Sequence, residues 1–161
     1  FFFFFGESSD AYHMSTPHPE GEGAYLAMQA ALKSAALEPQ QIDYINLHGT
    51  GTALNDAMEG KITYEIFGDK TPCSSSKSIT GHTLGASGIV ESAFCWLLLS
   101  AENRGKNLPI HYWNQAKDPE IPPILLCQAN MNFPIAKTWY TLSNSFAFGG
   151  NNGSIILGKN N

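Results

Sequence analysis

Ile42-Asp-Tyr-Ile-Asn46-Leu-His48-Gly-Thr50-Gly-Thr52-Ala-Leu-Asn-Asp56 is the stretch on which the fold turns. Apolar residues at 42, 44, 45 and 47, with Gln-Gln before them and His-Gly-Thr-Gly after, predict a buried strand over 42–47. That strand delivers His48 at its end, where a side chain is held rigidly but faces a cleft. Asp56 with Glu59 three positions on gives a capping-box-like start to a short helix that carries Met58, Ile62, Ile66 and Phe67 and stops at Gly68. Strand, glycine turn and helix make one step of an alternating α/β fold.

Working outward, apolar residues at 24, 27, 28, 31, 32 and 35 recur with helical spacing until Pro39 ends the pattern. Ahead of them, Phe1 to Phe5 read either as a strand buried on both faces or as an artefact of the chain's start; the chain opens without Met, as a cut piece would. Downstream, Thr71 to Ser75 is a strand candidate, and the Gly-rich run Gly81 to Gly88 leads into Ile89 to Leu99, apolar nearly all round and so predicted to be a buried helix. Glu102 to Pro123 shows no period and reads as a surface connection. Ile124 to Cys127, Thr138 to Ser145 and Ser154 to Leu157 are the remaining strands, the last two joined by a turn over 148–153. The pattern predicts one layered α/β unit over residues 1–161, with a mixed sheet, a helix from about 86 to 99 at its centre, and a terminal antiparallel meander.

The 161 residues are 43% hydrophobic and 14% charged, enough to bury a single core of ordinary domain size. Nine Lys and Arg against 14 Asp and Glu, a formal charge of −5, argue against nucleic acid or an acidic membrane as partner. The apolar run 89–99 carries Glu91 and falls well short of the roughly 20 residues that span a bilayer. Three cysteines, an odd number with neither a CxxC pair nor a secretory leader, disfavour a disulfide framework and fit a reducing cytoplasm. The five histidines, at 13, 18, 48, 82 and 111, show no HExxH and no paired Cys-His spacing, so no metal site is expected.

Three segments carry chemistry. In the first, His48 can donate from one ring nitrogen while the backbone orients the other, an arrangement suited to polarising a carbonyl, though taken alone it reads more readily as a satisfied core histidine in a tight turn. The second, Ser74-Ser-Ser-Lys77-Ser-Ile-Thr-Gly81-His82-Thr-Leu-Gly85-Ala-Ser-Gly88, sets a lysine and a histidine just before the apolar helix. Lys77 in so apolar a neighbourhood needs a counter-charge, for which Glu59 is a candidate; the plainer reading is a surface lysine and a capping histidine. The third, Leu142-Ser-Asn-Ser-Phe146-Ala-Phe148-Gly-Gly150-Asn-Asn152, is a strand ending in a glycine turn and alone could be a hairpin.

Together these segments, with Ser8-Ser-Asp-Ala-Tyr-His13 ahead of them, resemble the elongating β-ketoacyl-acyl-carrier-protein synthases, the condensing enzymes of fatty acid and polyketide synthesis, which have a thiolase-like fold. The resemblance covers essentially the whole chain but only the C-terminal half of that architecture. It implies a decarboxylative Claisen condensation in which malonyl-carrier protein loses carbon dioxide and the carbanion joins an acyl group held on cysteine. It assigns His48 and His82 as donors to the thioester oxygen, Lys77 as their electrostatic organiser balanced by Glu59, Thr50 and Thr52 as hydroxyls binding the phosphopantetheine arm, and Phe148 as a gate whose N–H completes an oxyanion hole. The nucleophilic cysteine of the family lies in the N-terminal half, and none of Cys73, Cys95 and Cys127 matches its motif, so this chain alone is expected to be inactive. Ala147 and Asn151 depart from the family's usual Gly and Thr. The implied partners are acyl carrier protein, the N-terminal ketosynthase half and a second ketosynthase-like chain in a dimer. No cofactor is implied beyond the substrates' phosphopantetheine. The alternative is a noncatalytic ketosynthase-like subunit or fragment that contributes a surface and a substrate tunnel. The catalytic reading expects His48 and His82 to meet in one cleft, with Lys77 and Phe148 beside them.

Overall fold

A computed structural model describes residues 1–146 and 148–160. Along the chain come β1 (Phe2–Ser9), α1 (Glu22–Ala35), β2 (Tyr44–Asn46), α2 (Ala53–Phe67), β3 (Pro72–Ser74), α3 (Lys77–Thr80), α4 (Ser87–Leu99), β4 (Leu125–Leu126), β5 (Thr138–Phe146) and β6 (Asn151–Asn160). Short 3-10 turns lie at Pro39–Gln41, Leu84–Ala86 and Phe148–Gly150. The described strands form one mixed sheet in the order β1-β6-β5-β2-β3-β4. β5, β2, β3 and β4 are parallel neighbours, whereas β6 runs antiparallel to both β5 and β1.

The sheet is mixed, as the sequence pattern predicts, but the terminal meander is not formed. β4 pairs in parallel with β3 at the far edge, and only β5 and β6 make an antiparallel hairpin. The cause is α4: a helix between β3 and β4 returns the chain in its original direction. The hairpin turn is also shorter than expected, because Asn151 already belongs to β6.

Alternation along the strands sorts side chains into two cores. Ile45, Leu142 and Ile156 project into one with Met28 and Leu32 of α1 and Met58 and Ile62 of α2. Tyr44, Trp139 and Leu157 project into the other with Cys95 and Leu99 of α4. The sheet is therefore sandwiched between α1 with α2 and α4, the layered arrangement expected from the alternating pattern.

Two elements are less enclosed than the sequence predicts. α4 buries Ser87, Glu91, Cys95 and Leu99, one residue per turn along a single stripe. Its other faces expose Ile89, Trp96 and Leu97, so within this chain the all-round apolar helix is covered on one side. The Phe1 to Phe5 run does enter a strand, yet that strand is the sheet edge rather than one buried on both faces, and Phe1, Phe2, Phe3 and Phe5 are exposed. Gly6 is where β1 touches α1: a Cβ there would sit 2.2 Å from the Ala27 carbonyl oxygen. Phe1 stacks on Trp96 at 5.6 Å, bridging the two exposed apolar regions.

Candidate active site

The site is built where β2 ends. α2 starts at Ala53, three residues ahead of the expected capping box, and Asp56 uses its carboxylate to accept the Gly51 N–H at 3.2 Å across the turn. Glu59 is therefore free of capping and points into the core, 2% exposed. Its carboxylate accepts the backbone N–H of His48 at 2.8 Å and of Gly49 at 2.7 Å, and also the side-chain amides of Asn144 at 3.3 Å and Asn55 at 3.5 Å. Burial pushes its pKa up to about 7, while the backbone donors and Asn144 pull the other way. Glu59 thus clamps the main chain that carries His48.

Lys77 opens α3 and is buried. Its ammonium donates to the His48 carbonyl oxygen at 2.5 Å and pairs with Glu91, inside α4. The counter-charge of Lys77 is thus Glu91, not Glu59; Glu59 is already engaged by backbone and amide donors. A lone carboxylate inside the apolar run 89–99 was the available sign of this, since an ion in such a helix requires a partner.

His48 is 5% exposed and meets His82 edge-to-face, ring centroids 5.3 Å apart and planes at 83°. The Phe146 ring closes on His48 from another side at 5.9 Å. Burial first, then the neighbouring Lys77 ammonium and lastly the His82 ring, hold the His48 pKa down at about 3, so the ring is neutral at ordinary pH. The backbone does not orient its second nitrogen as anticipated: Nδ1 of His48 is buried without a hydrogen-bond partner among the described residues. Packing holds the ring instead. At His82, which is exposed and for which no such geometry was anticipated, the backbone does orient the ring: Nδ1 accepts the Leu84 N–H at 3.2 Å, which leaves a proton on Nε2.

Thr50 and Thr52 follow on the same turn, their hydroxyls 2.8 Å apart and hydrogen-bonded to each other at the mouth of the site. Phe148 is 66% exposed on the turn after β5, and the ring that packs on His48 belongs to Phe146, two residues earlier. Ala147 lies outside the described residues. Asn144 and Phe146 escaped the sequence reading, although both stand in a strand whose small and polar residues are unusual for a buried position. The turn bearing Phe148 is tied to the 10–14 segment by Gly149 N–H to Met14 oxygen and Asp10 N–H to Gly150 oxygen, each 2.8 Å.

All three thiols are buried and free. Burial pushes Cys95 and Cys127 up to about 12 and Cys73 well above its ordinary value. None is a thiolate at neutral pH. Among the described residues no group of three or more His, Cys, Asp or Glu is placed to hold a metal ion, and no helix is long and apolar enough to cross a membrane.

A layered α/β sheet whose central parallel strand ends in His48, in contact with His82 from the next crossover, agrees with the arrangement that the resemblance to the thiolase-like ketosynthases implies. Residues 4–110 match the family model of the β-ketoacyl synthase C-terminal domain. The chain is 35% identical to a 3-oxoacyl-[acyl-carrier-protein] synthase 2 of Coxiella burnetii and 38% identical to one of Staphylococcus aureus, each over 96% of its own length and 36% of the relative's. Among solved structures it resembles a ketosynthase (ApeO) in complex with its chain length factor (ApeC) from Xenorhabdus doucetiae, with a TM-score of 0.84 and 49% identity over 98% of this chain and 38% of that one. This chain belongs to the β-ketoacyl synthase family and corresponds to its C-terminal domain. It spans about a third of the length of the curated relatives it matches.

Proposed function

We propose that this chain supplies the decarboxylation half of a β-ketoacyl-acyl-carrier-protein synthase of fatty acid or polyketide synthesis. The observation that carries the reading is the contact of His48 with His82, one imidazole held neutral by burial and the other with Nδ1 occupied by a backbone donor. Two neutral N–H donors directed at one thioester oxygen stabilise the negative charge that develops there as the malonyl C–C bond breaks and carbon dioxide leaves. The resulting carbanion attacks an acyl thioester on a cysteine supplied from outside these residues, since the three thiols here are buried and protonated. Its electron pair forms the new C–C bond and the cysteine sulfur leaves as thiolate.

Lys77 raises the cost of a second positive charge beside it and so helps keep His48 uncharged. Glu59 fixes the main chain beneath that ring. The family resemblance assigns Thr50 and Thr52 to the amides of a phosphopantetheine arm, which their paired hydroxyls support, and Phe148 to gate entry and offer its N–H to the second oxyanion. The partners are acyl carrier protein, the N-terminal half of the synthase and a second ketosynthase-like chain, in the cytoplasm; no other cofactor enters the chemistry. The edge-to-face pairing of His48 with His82 favours this reading over a noncatalytic subunit, for which it would have no use.

The test is decarboxylation of malonyl-carrier protein by the full-length protein that contains this chain. His82→Ala should slow it by roughly 100-fold or more while leaving cysteine acylation partly intact, the scale of losing one oxyanion donor. Decarboxylation at the parental rate would remove the basis for the assignment.

A further inference from the structure

The connection from Glu102 to Pro123, which carries no readable period, runs behind the site. His111 sits in it. Its backbone N–H donates to the Cys127 carbonyl at 2.9 Å, which pins it beside the end of β4. Its half-buried ring tilts against Trp113 at 6.1 Å, and Nδ1 accepts the backbone N–H of Ser75 at 3.1 Å.

Ser75 is itself a junction. Its buried hydroxyl donates to the Gly49 carbonyl at 2.9 Å and accepts the Lys77 N–H at 3.2 Å. Gly49 is the residue after His48, and Lys77 begins the segment that leads to His82. The two segments also touch directly: with φ at 42°, Gly49 comes so close that a Cβ would lie 2.6 Å from the Ser75 Cβ. The separation of the two imidazoles therefore depends on where Ser75 sits, and its N–H is held by His111.

We propose that His111 is a positioning residue: by accepting the Ser75 N–H it holds the hydroxyl that ties Gly49 to Lys77, and so sets the spacing of His48 and His82. The inference rests on the function proposed above. A ring that accepts at Nδ1 is neutral with its proton on Nε2, and burial favours that form by lowering the His111 pKa, against a smaller opposing effect of Asp56. No contact with substrate is required, so the residue acts on the rate of decarboxylation rather than on binding of the carrier arm.

The full-length protein is assayed for malonyl-carrier-protein decarboxylation with His111→Asn, His111→Gln, Ser75→Ala and the Ser75→Ala/His111→Gln pair. Asn can place an amide oxygen near the position of Nδ1, whereas Gln reaches toward that of Nε2. His111→Asn should keep kcat within about threefold of the parent, while His111→Gln lowers it roughly tenfold with KM changed less than about twofold. The paired variant should be no slower than the worse single one, because both act through one junction. Equal behaviour of Asn and Gln, an effect confined to KM, or additive losses in the pair would overturn the proposal. A His82→Ala control separates the two levels: if it is slow while His111→Gln is fast, His111 alone is misassigned, and if it decarboxylates at the parental rate the site reading fails as well.

Discussion

Two buried carboxylates approach the site from opposite faces of the sheet, and they are stabilised in different ways. Glu59, from α2, is surrounded by neutral donors: two backbone N–H groups and two amides. Glu91, from α4, is paired with a buried ammonium and has its second oxygen unpartnered among the described residues. The α2 side holds a main-chain turn in shape, and the α4 side holds a positive charge next to His48. Around the neutral His48 ring the first fixes geometry and the second sets the electrostatics.

The largest effect is expected on the α4 side. Lys77→Met strands Glu91 in the core and should destabilise the full-length protein by about 3–5 kcal/mol, whereas Lys77→Met with Glu91→Leu should recover much of that loss, because the pair together adds little net stability. Urea unfolding of parent, single and double variants checks it, and equal destabilisation of single and double would contradict the pairing. Next comes Glu59→Gln, which turns an amide toward backbone N–H donors and should cost about 1–3 kcal/mol through an unsatisfied buried group. Its activity should fall with it, and a variant that unfolds at the parental urea concentration would show that the donors do not depend on the charge.

His48 and Glu59 respond to pH in opposite directions. The folded pKa of His48, about 3, lies below its ordinary 6.5, so its contribution to stability is present above 6.5 and is lost as pH falls toward 3. The folded pKa of Glu59, about 7, lies above its ordinary 4.5, so its contribution is present below 4.5 and is lost as pH rises through 7. Between 4.5 and 6.5 the two slopes oppose each other. Subtracting the Tm profile of His48→Gln from the parental one should leave a difference that shrinks steadily from pH 6.5 downward; a flat difference would mean that the ring is not held neutral by the fold. The smallest effect is expected at the mouth, where Thr52→Ala removes an exposed hydroxyl bond and should change stability by less than about 0.5 kcal/mol. Its effect should instead appear as a raised KM for the carrier-bound substrate, and an unchanged KM would take Thr52 out of the binding surface.

Much of this was legible because periodicity and turn chemistry are local. The helix over 22–35, the strand leading to His48 and the stop at Gly68 follow from spacing and glycine placement alone. The partner of Lys77 was only half legible: Glu91 stands out as a lone carboxylate in an apolar helix, but Glu59 is as isolated along the sequence, and only the packing of α4 under β5 decides between them. Strand direction failed for a similar reason, since the two-residue β4 gives no pattern and its pairing is dictated by the helix before it. His111 lay in the least patterned segment of the chain, where one hydrogen bond to a backbone N–H leaves no trace in composition.

The aromatic edge strand has a consequence for handling the protein. β1 ends the sheet with one flank of backbone donors and acceptors unpaired among the described strands, and it carries Phe3 and Phe5 in the open. An edge of that kind is a template for strand addition by any other chain with a free edge. Expressed as this piece alone, the chain should therefore recruit further copies edge to edge and come out of solution as its concentration rises. Substituting lysine for Phe3 and Phe5 should protect it, at the expense of whatever surface those rings normally meet.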